Sequence, residues 1–357
     1  MISSRLLVKP GGVGQRGFAL LTVLWLTMLL AIIAASFTTT ARTEIQFGRN
    51  AVDKARAEAL AEAGVSLAVL ALLEPDPAAR WRTDGTTYAF AFAGGEIHVS
   101  IQDEAGKADL NFASDELLHA AFVAAGVGEE QAGMLVDAVA DFRDEDDLRS
   151  LAGAEDADYA AAGLLYGAKD APFDSVDELQ QVLGVTPQLY RRVAPLLTVF
   201  SWQDGLDPLT ARPELLEALP GIAPGQVEQL LAARADLAGG PGADLGPLAR
   251  LGGQAPPQRE EPLAGREDDD GLMGDPFAIV EPLIEGLEGF LSGYGEESYT
   301  VRAEARSEGG AVFVREAILS LTGAPGQPFF VHDWKRGRRG AADSLSTPNS
   351  ATGPASG

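Results

Sequence analysis

The chain has 357 residues, 46% of them apolar, and carries 52 acidic against 27 basic residues for a formal charge of −25. That field repels nucleic acid and anionic lipid. The absence of cysteine excludes disulfide scaffolds, thiolate zinc sites, iron–sulfur clusters and cysteine catalysis. The three histidines, His98, His119 and His332, are far apart in sequence, which argues against a His-rich metal centre.

Residues 1–17 hold Arg5, Lys9 and Arg16 and no acid, and 18–41 carries no charge. As a helix, Phe18–Phe37 would be about 30 Å long, one bilayer core. The basic flank would stay cytoplasmic and the rest of the chain would lie outside the cytoplasm. Three readings compete. A cleaved secretory signal has a shorter apolar stretch and a small-residue cleavage site. A signal anchor fits the length. The run Gln15-Arg16-Gly17-Phe18, followed at once by apolar residues, looks like a type IV prepilin signal cut between Gly17 and Phe18. Gly12, Gly14 and Gly17 match a dinucleotide-binding fingerprint, but the helix that follows is membrane-length and no acid sits about 20 residues on, so that reading is set aside.

Helix formers continue through 51–63, and Ile45, Val52, Leu60, Val65, Leu67, Val69 and Leu70 supply an apolar stripe that Pro75 and Pro77 end. This is either one helix from about 18 to 73 or a membrane helix plus a separate soluble one. Thr87–Phe92 and Glu96–Gln102 alternate around Gly94-Gly95, a hairpin signal. Strand signals return only at Tyr299–Arg306 and Val312–Leu319, with Phe329–Val331 as a further short strand. Two lone hairpins are not stable, so one sheet covering the N-terminal helix and interrupted by a helical insertion is expected. The expected parts are a leader at 1–17, a membrane stretch at 18–41, a first sheet-and-helix part at 42–103, the helical insertion at 104–238, an acidic Gly/Pro linker at 239–275, a second sheet part at 276–334 and a disordered tail at 335–357. Within the insertion, Gly184-Val185-Thr186-Pro187 and Gly221-Ile222-Ala223-Pro224 repeat 37 residues apart. Leu179, Val182 and Val193 flank the first as Leu216, Leu219 and Leu230 flank the second, and a looser copy surrounds Gly126-Val127-Gly128.

Such helix-hairpin-helix turns either pack or offer N–H groups to DNA phosphate. Residues 211–234 hold two Arg and three Glu, and only Arg191-Arg192 favour DNA, so no nucleic-acid partner is expected. The segment 141–158 holds eight carboxylates in 18 residues. Asp144, Asp146 and Glu155 fall at the first, third and twelfth places of an EF-hand frame, but Leu148 and Arg149 stand where an oxygen ligand and Gly belong. It is not an EF-hand; an irregular calcium loop and a solvated acidic loop both fit the composition. No G-x-S-x-G, H-E-x-x-H or P-loop occurs, the 7% aromatic content is thin for a sugar cleft, and Trp81, Trp202 and Trp334 read as packing residues.

Taken together, Arg16–Trp25, the run Asp103-Glu104-Ala105-Gly106-Lys107-Ala108-Asp109-Leu110-Asn111, the Asp141–Asp158 loop, the Leu219-Pro220-Gly221-Ile222 hairpin and the Tyr299–Leu321 strands resemble, in order, the type II secretion system minor pseudopilin K family (GspK). The resemblance implies an α+β fold: a pilin-like long N-terminal helix packed on a small antiparallel sheet, with an inserted all-α domain of helix-hairpin-helix or SAM-like units. It implies no enzyme but an assembly protein of the bacterial inner membrane, single-pass, with its head in the periplasm. A prepilin peptidase would cut after Gly17 and methylate the amine of Phe18. Thr22 stands where most pilins carry a glutamate, in agreement with this family, which usually lacks that acid. The implied role is to initiate and cap the pseudopilus tip, with the minor pseudopilins I and J as partners and membrane lipid around the helix. Some members bind calcium in the insertion, for which Asp144, Asp146, Asp147 and Glu155 are the candidates here. A minor pilin of a type IV pilus and a tethered DNA receptor are the alternative readings.

Overall fold

The computed structural model describes residues 15–75, 79–237, 283–284, 287–291, 297–324 and 326–338, save the side chains at 15–17, 19, 37–42, 236–237 and 288. The expected leader up to residue 14, the linker 239–275 and the tail beyond 338 lie outside the described residues.

The described residues begin in one helix, α1 (Gln15–Leu72), 58 residues long, so the apolar stretch and the helical pattern that follows it belong to a single element. Ala57, Ala61, Val65, Ala68 and Leu72 recur at steps of three and four and are buried, the spacing that puts them on one helical face. Further toward the N-terminus, Leu20, Leu24, Trp25 and Ile33 are exposed to solvent. Among the described residues no helix is long and apolar enough to cross a membrane; the expected span at 18–41 reaches onto side chains at 19 and 37–41 that lie outside the description.

The buried face of α1 rests on a five-stranded antiparallel sheet ordered β1-β2-β5-β6-β7. Its strands are β1 (Asp84–Phe92), β2 (Gly95–Asp103), β5 (Ser298–Ser307), β6 (Val312–Ala324) and β7 (Gln327–Arg336). The two hairpins join through β2 and β5, with Ile97 opposite Ala305, Val99 opposite Ala303 and Ile101 opposite Val301. Alternation along both strands therefore sends one apolar row into the α1 interface. Gly64 lets the helix approach closely: a Cβ there would stand 2.9 Å from both the Ala303 Cβ and the Ile97 Cγ2. Arg315 of β6 ties sheet to helix through Glu58 and Glu62 at 2.9 and 2.7 Å. Strand β7 takes in Lys335 and Arg336, which the sequence reading assigns to the tail.

After β2 and up to Leu237 the described chain is mainly helical: α2 (Asp115–Ala124), α3 (Glu129–Arg143), α4 (Asp156–Ala161), α5 (Pro187–Val193), α6 (Pro213–Glu217) and α7 (Gln226–Leu237), with a short parallel pair β3 (Ala108–Asp109) and β4 (Leu197–Thr198). These elements have their own core, which includes Leu117, Phe122, Val139, Phe142, Tyr159 and Leu215, distinct from the cluster under α1. The repeated positions Leu179 and Leu216, Val182 and Leu219, and Val193 and Leu230 are all buried, and Gly184 and Gly221 both hold a positive φ at the turns, a region open to glycine at no steric cost. The arm before the first of these turns, Val176–Gln181, is a 3-10 helix rather than an α-helix, as short helical pieces often are.

The seam between sheet and helical segment is polar. Glu104, which follows β2, is only 1% exposed. Its carboxylate accepts from Lys107 Nζ, Thr300 Oγ1 of β5 and Thr198 Oγ1 of β4, each at 2.5 Å. Lys107 Nζ also donates to Thr300 Oγ1 at 3.1 Å, and Gln102 Nε2 to the Thr210 carbonyl at 2.8 Å. Removing one partner of a buried ion pair leaves the other charged and desolvated. Lys107→Met is therefore expected to lower stability by about 3–5 kcal/mol in denaturant titration of the full chain. A loss below about 1 kcal/mol, the scale of a surface pair, would show that the pair does not hold the seam.

Candidate metal centre

Asp144 caps the end of helix α3 and Glu155 caps the start of helix α4, so the acidic loop between them is anchored at both ends by helix boundaries. The loop wraps its backbone onto carboxylates. Ser150 N donates to both oxygens of buried Asp141 at 3.1 Å, Ala152 N to Asp137 Oδ2 at 2.9 Å, and Leu148 N to Asp146 Oδ1 at 2.8 Å. Arg149 braces the return through the Gly153 carbonyl at 2.9 Å and Asp158 at 3.3 Å.

This folding brings Asp144, Asp146 and Glu155 together: each offers a carboxylate oxygen, all within 4.8 Å of one another. Asp147, the fourth candidate, is exposed and is not one of the three. Glu155 is 7% exposed. Its Oε1 and the Oδ1 of Asp144 are buried without a hydrogen-bond partner. Burial first, then repulsion from Asp141, Asp144, Asp170 and Asp147, pushes the Glu155 carboxyl up to about 7. Burial and the neighbouring Asp146 and Asp141 push Asp144 up as well. Clustered carboxylates that repel one another, two of them with a buried oxygen lacking a donor, are a hard-cation donor set, and calcium takes six to eight oxygens in all, carbonyls and water among them. The three carboxylates fit that ion class. Asp141 and Asp170 are acids around the site that the spacing did not single out; Asp170 lies outside the 141–158 run and reaches the loop only because its N–H and that of Lys169 both bond the Phe142 carbonyl.

The other sequence candidates lie elsewhere. The Gly17–Phe18 bond falls near the start of α1, where Phe18 is exposed. Arg191 and Arg192 occupy the last turn of α5 and are both exposed. Trp81 is buried as a packing residue, stacked on Tyr88 with ring centroids 4.6 Å apart. Trp334 and Trp202, by contrast, are exposed. Trp334 stands on the edge strand β7 beneath the Arg315 guanidinium, 5.2 Å from its ring centroid, while Trp202 is turned outward by its backbone.

The site carries a pH signature with a definite sign. In the metal-free protein the raised carboxyl of Glu155 binds its proton more tightly folded than unfolded. Its contribution to stability is therefore full below about pH 4.5 and is lost as pH rises through about 7. Thermal melts of the metal-free chain are expected to show a fall in stability over that interval, with added calcium raising the melting temperature most above pH 7. The fall should shrink in Glu155→Gln, and the calcium response should be lost in Asp144→Ala. An equal calcium response at pH 5 and pH 8, or one unchanged in Asp144→Ala, would contradict this assignment.

Comparison with known proteins agrees with the motifs. A family model described as type II secretion system (T2SS), protein K matches residues 101–201, the end of β2 and the helical elements through β4. The type II secretion system protein K of Pseudomonas aeruginosa is 29% identical over 244 residues, covering 62% of this chain and 73% of that protein. The protein of the same name from Klebsiella pneumoniae is 28% identical over 249 residues, 62% of this chain and 76% of that protein. Among solved structures, a chain of the GspK-GspI-GspJ complex from the type 2 secretion system of enterotoxigenic Escherichia coli aligns over 84% of this chain and 99% of its own length, at 20% identity and a TM-score of 0.48. The resemblance carried by the chain's own motifs is borne out: it is similar to type II secretion system protein K, in the segment of the family model and along the relatives alike.

Proposed function

We infer that this chain is the minor pseudopilin at the tip of a type II secretion pseudopilus, where it initiates assembly and caps the fibre. The observation that carries this reading is the order of its parts: a 58-residue helix on an antiparallel sheet whose strands are split by the segment that the protein K model matches. Its work is assembly rather than catalysis. Prepilin peptidase removes the leader after Gly17 and methylates Phe18. The apolar start of α1 then holds the chain in the inner membrane by a single pass, with the head in the periplasm. Ala31, Ala34, Ala35 and Ser36 are small enough for close approach of partner helices.

Thr22 puts a neutral side chain at the fifth residue after the cut. A carboxylate there would have to find a cationic partner within the membrane, where isolated charge is costly. A subunit without it need not dock beneath the amine of a neighbour. The helical segment adds bulk at one end of the sheet, which would block a further subunit and suits a cap. In this reading the partners are the I and J minor pseudopilins, and calcium at Asp144, Asp146 and Glu155 stiffens the loop between α3 and α4.

Co-expression with the I and J proteins of the same organism tests this. A tagged full chain extracted in mild detergent is expected to retain both through size exclusion, and loss of its gene is expected to halt export of the exoproteins. Recovery of the chain alone, with export unchanged in the deletion strain, would contradict the reading.

A further inference from the structure

Trp202 is built in a way that folding alone does not explain. Its φ is +56°, a region where a bulky residue is a genuine outlier. The other described non-glycine residues with positive φ are Ala93, in the turn between β1 and β2, and Asp170, a type that tolerates this conformation. The strained backbone is held from beneath by Asp109. This fully buried carboxylate accepts from the Trp202 N–H at 3.0 Å and from the N–H and Oγ of Ser201 at 3.2 and 3.1 Å. Its other oxygen accepts from Asn111 N at 2.8 Å. The outcome of this buried anchor is an indole left 61% exposed, beside a Phe112 ring that is itself 46% exposed, with centroids 5.3 Å apart. Strain of this kind persists where surrounding structure enforces it and clusters at functional sites.

The surroundings of the pair are acidic. Ser114 N donates to the Asp204 carbonyl at 3.1 Å, which ties the start of α2 to the loop that carries Trp202. Asp204, Asp115 and Glu116 are all exposed there. The nearby cation, Arg143, is turned inward, its guanidinium donating to the Leu110 carbonyl. An exposed aromatic face with exposed acids close to it along the chain suits a guanidinium or ammonium laid over the ring. Trp is also among the side chains that dominate protein interfaces. An anionic lipid surface is disfavoured by these exposed acids and by the charge of −25. We propose that Trp202 and Phe112 form a docking platform for an Arg- or Lys-bearing segment of a protein partner, stacked on Trp202 and paired with Asp204. This site is separate from the acidic loop and does not depend on the assembly role inferred above.

The test uses the full chain in detergent micelles and two probes, the peptides acetyl-Gly-Arg-Gly-Arg-Gly-amide and acetyl-Gly-Glu-Gly-Glu-Gly-amide. Calorimetry is expected to show saturable binding of the arginine peptide and none of the glutamate peptide. Trp202→Leu, which leaves charge unchanged, is expected to weaken binding about fivefold, within the range of a cation–π contact; Asp204→Asn is also expected to weaken it. Trp202→Gly should separate function from folding. The relieved φ offsets the added chain entropy and the lost Phe112 contact, so the melting temperature is expected to stay within about 2–4 °C while the same binding is lost. Arginine-peptide binding unchanged in Trp202→Leu would place the site elsewhere on the acidic surface and overturn the proposal.

Discussion

The arrangement depends on a short buried ion pair. Glu104 and Lys107 stand three residues apart just past the end of β2, and both are buried where β5 of the sheet and β4 of the helical segment meet. Neither half of the protein could desolvate these charges alone. The carboxylate needs one hydroxyl from each side, Thr198 and Thr300, as well as the ammonium. A buried ion pair adds little net stability over a well-packed apolar contact, but it tolerates few alternative placements because a lost partner strands a charge. In this protein its consequence is positional: a chain that leaves the sheet at Asp103 and returns at Ser298 brings the helical segment back to one place on the sheet.

The same short run serves a second purpose through Asp109. Two residues beyond the ion pair, this carboxylate fixes Asn111 on one side and the Ser201–Trp202 turn on the other. The run 103–111 is thus one polar spine from which the seam, the start of α2 and the exposed aromatic pair are all positioned. The acidic loop is held differently. There the helix ends at Asp144 and Glu155 bring like charges together against mutual repulsion, which pushes the Glu155 carboxyl toward its protonated form.

Much of this was legible from residues alone, for identifiable reasons. The hairpins were readable because alternation of apolar and polar residues is local, as in Glu96–Gln102. Their union into one sheet followed because neither could stand alone. Helix α1 was readable as one possibility from its stripe, although only the fold decided that the two helical signals are continuous. Three of the four candidate acids meet because Asp144, Asp146 and Glu155 flank a loop bounded by two helices. What was not legible depends on contacts distant in sequence. Asp170 reaches the loop through the Phe142 carbonyl, and no spacing rule links them. The C-terminal extent of β7 was hidden because Asp333, Lys335 and Arg336 interrupt the apolar pattern at a sheet edge, where charge is tolerated and protective. Trp202 read as a packing residue because tryptophan usually is one; its outward turn follows from a backbone conformation that composition does not reveal.

Processing as a pseudopilin, proposed above, is tested by the intact mass and N-terminal sequence of the chain extracted from its native membrane. A chain that starts at Phe18 and carries one added methyl group is expected. A chain that starts at Met1 would contradict it: α1 would then begin as an ordinary signal anchor, and the tip-cap role would fall with it.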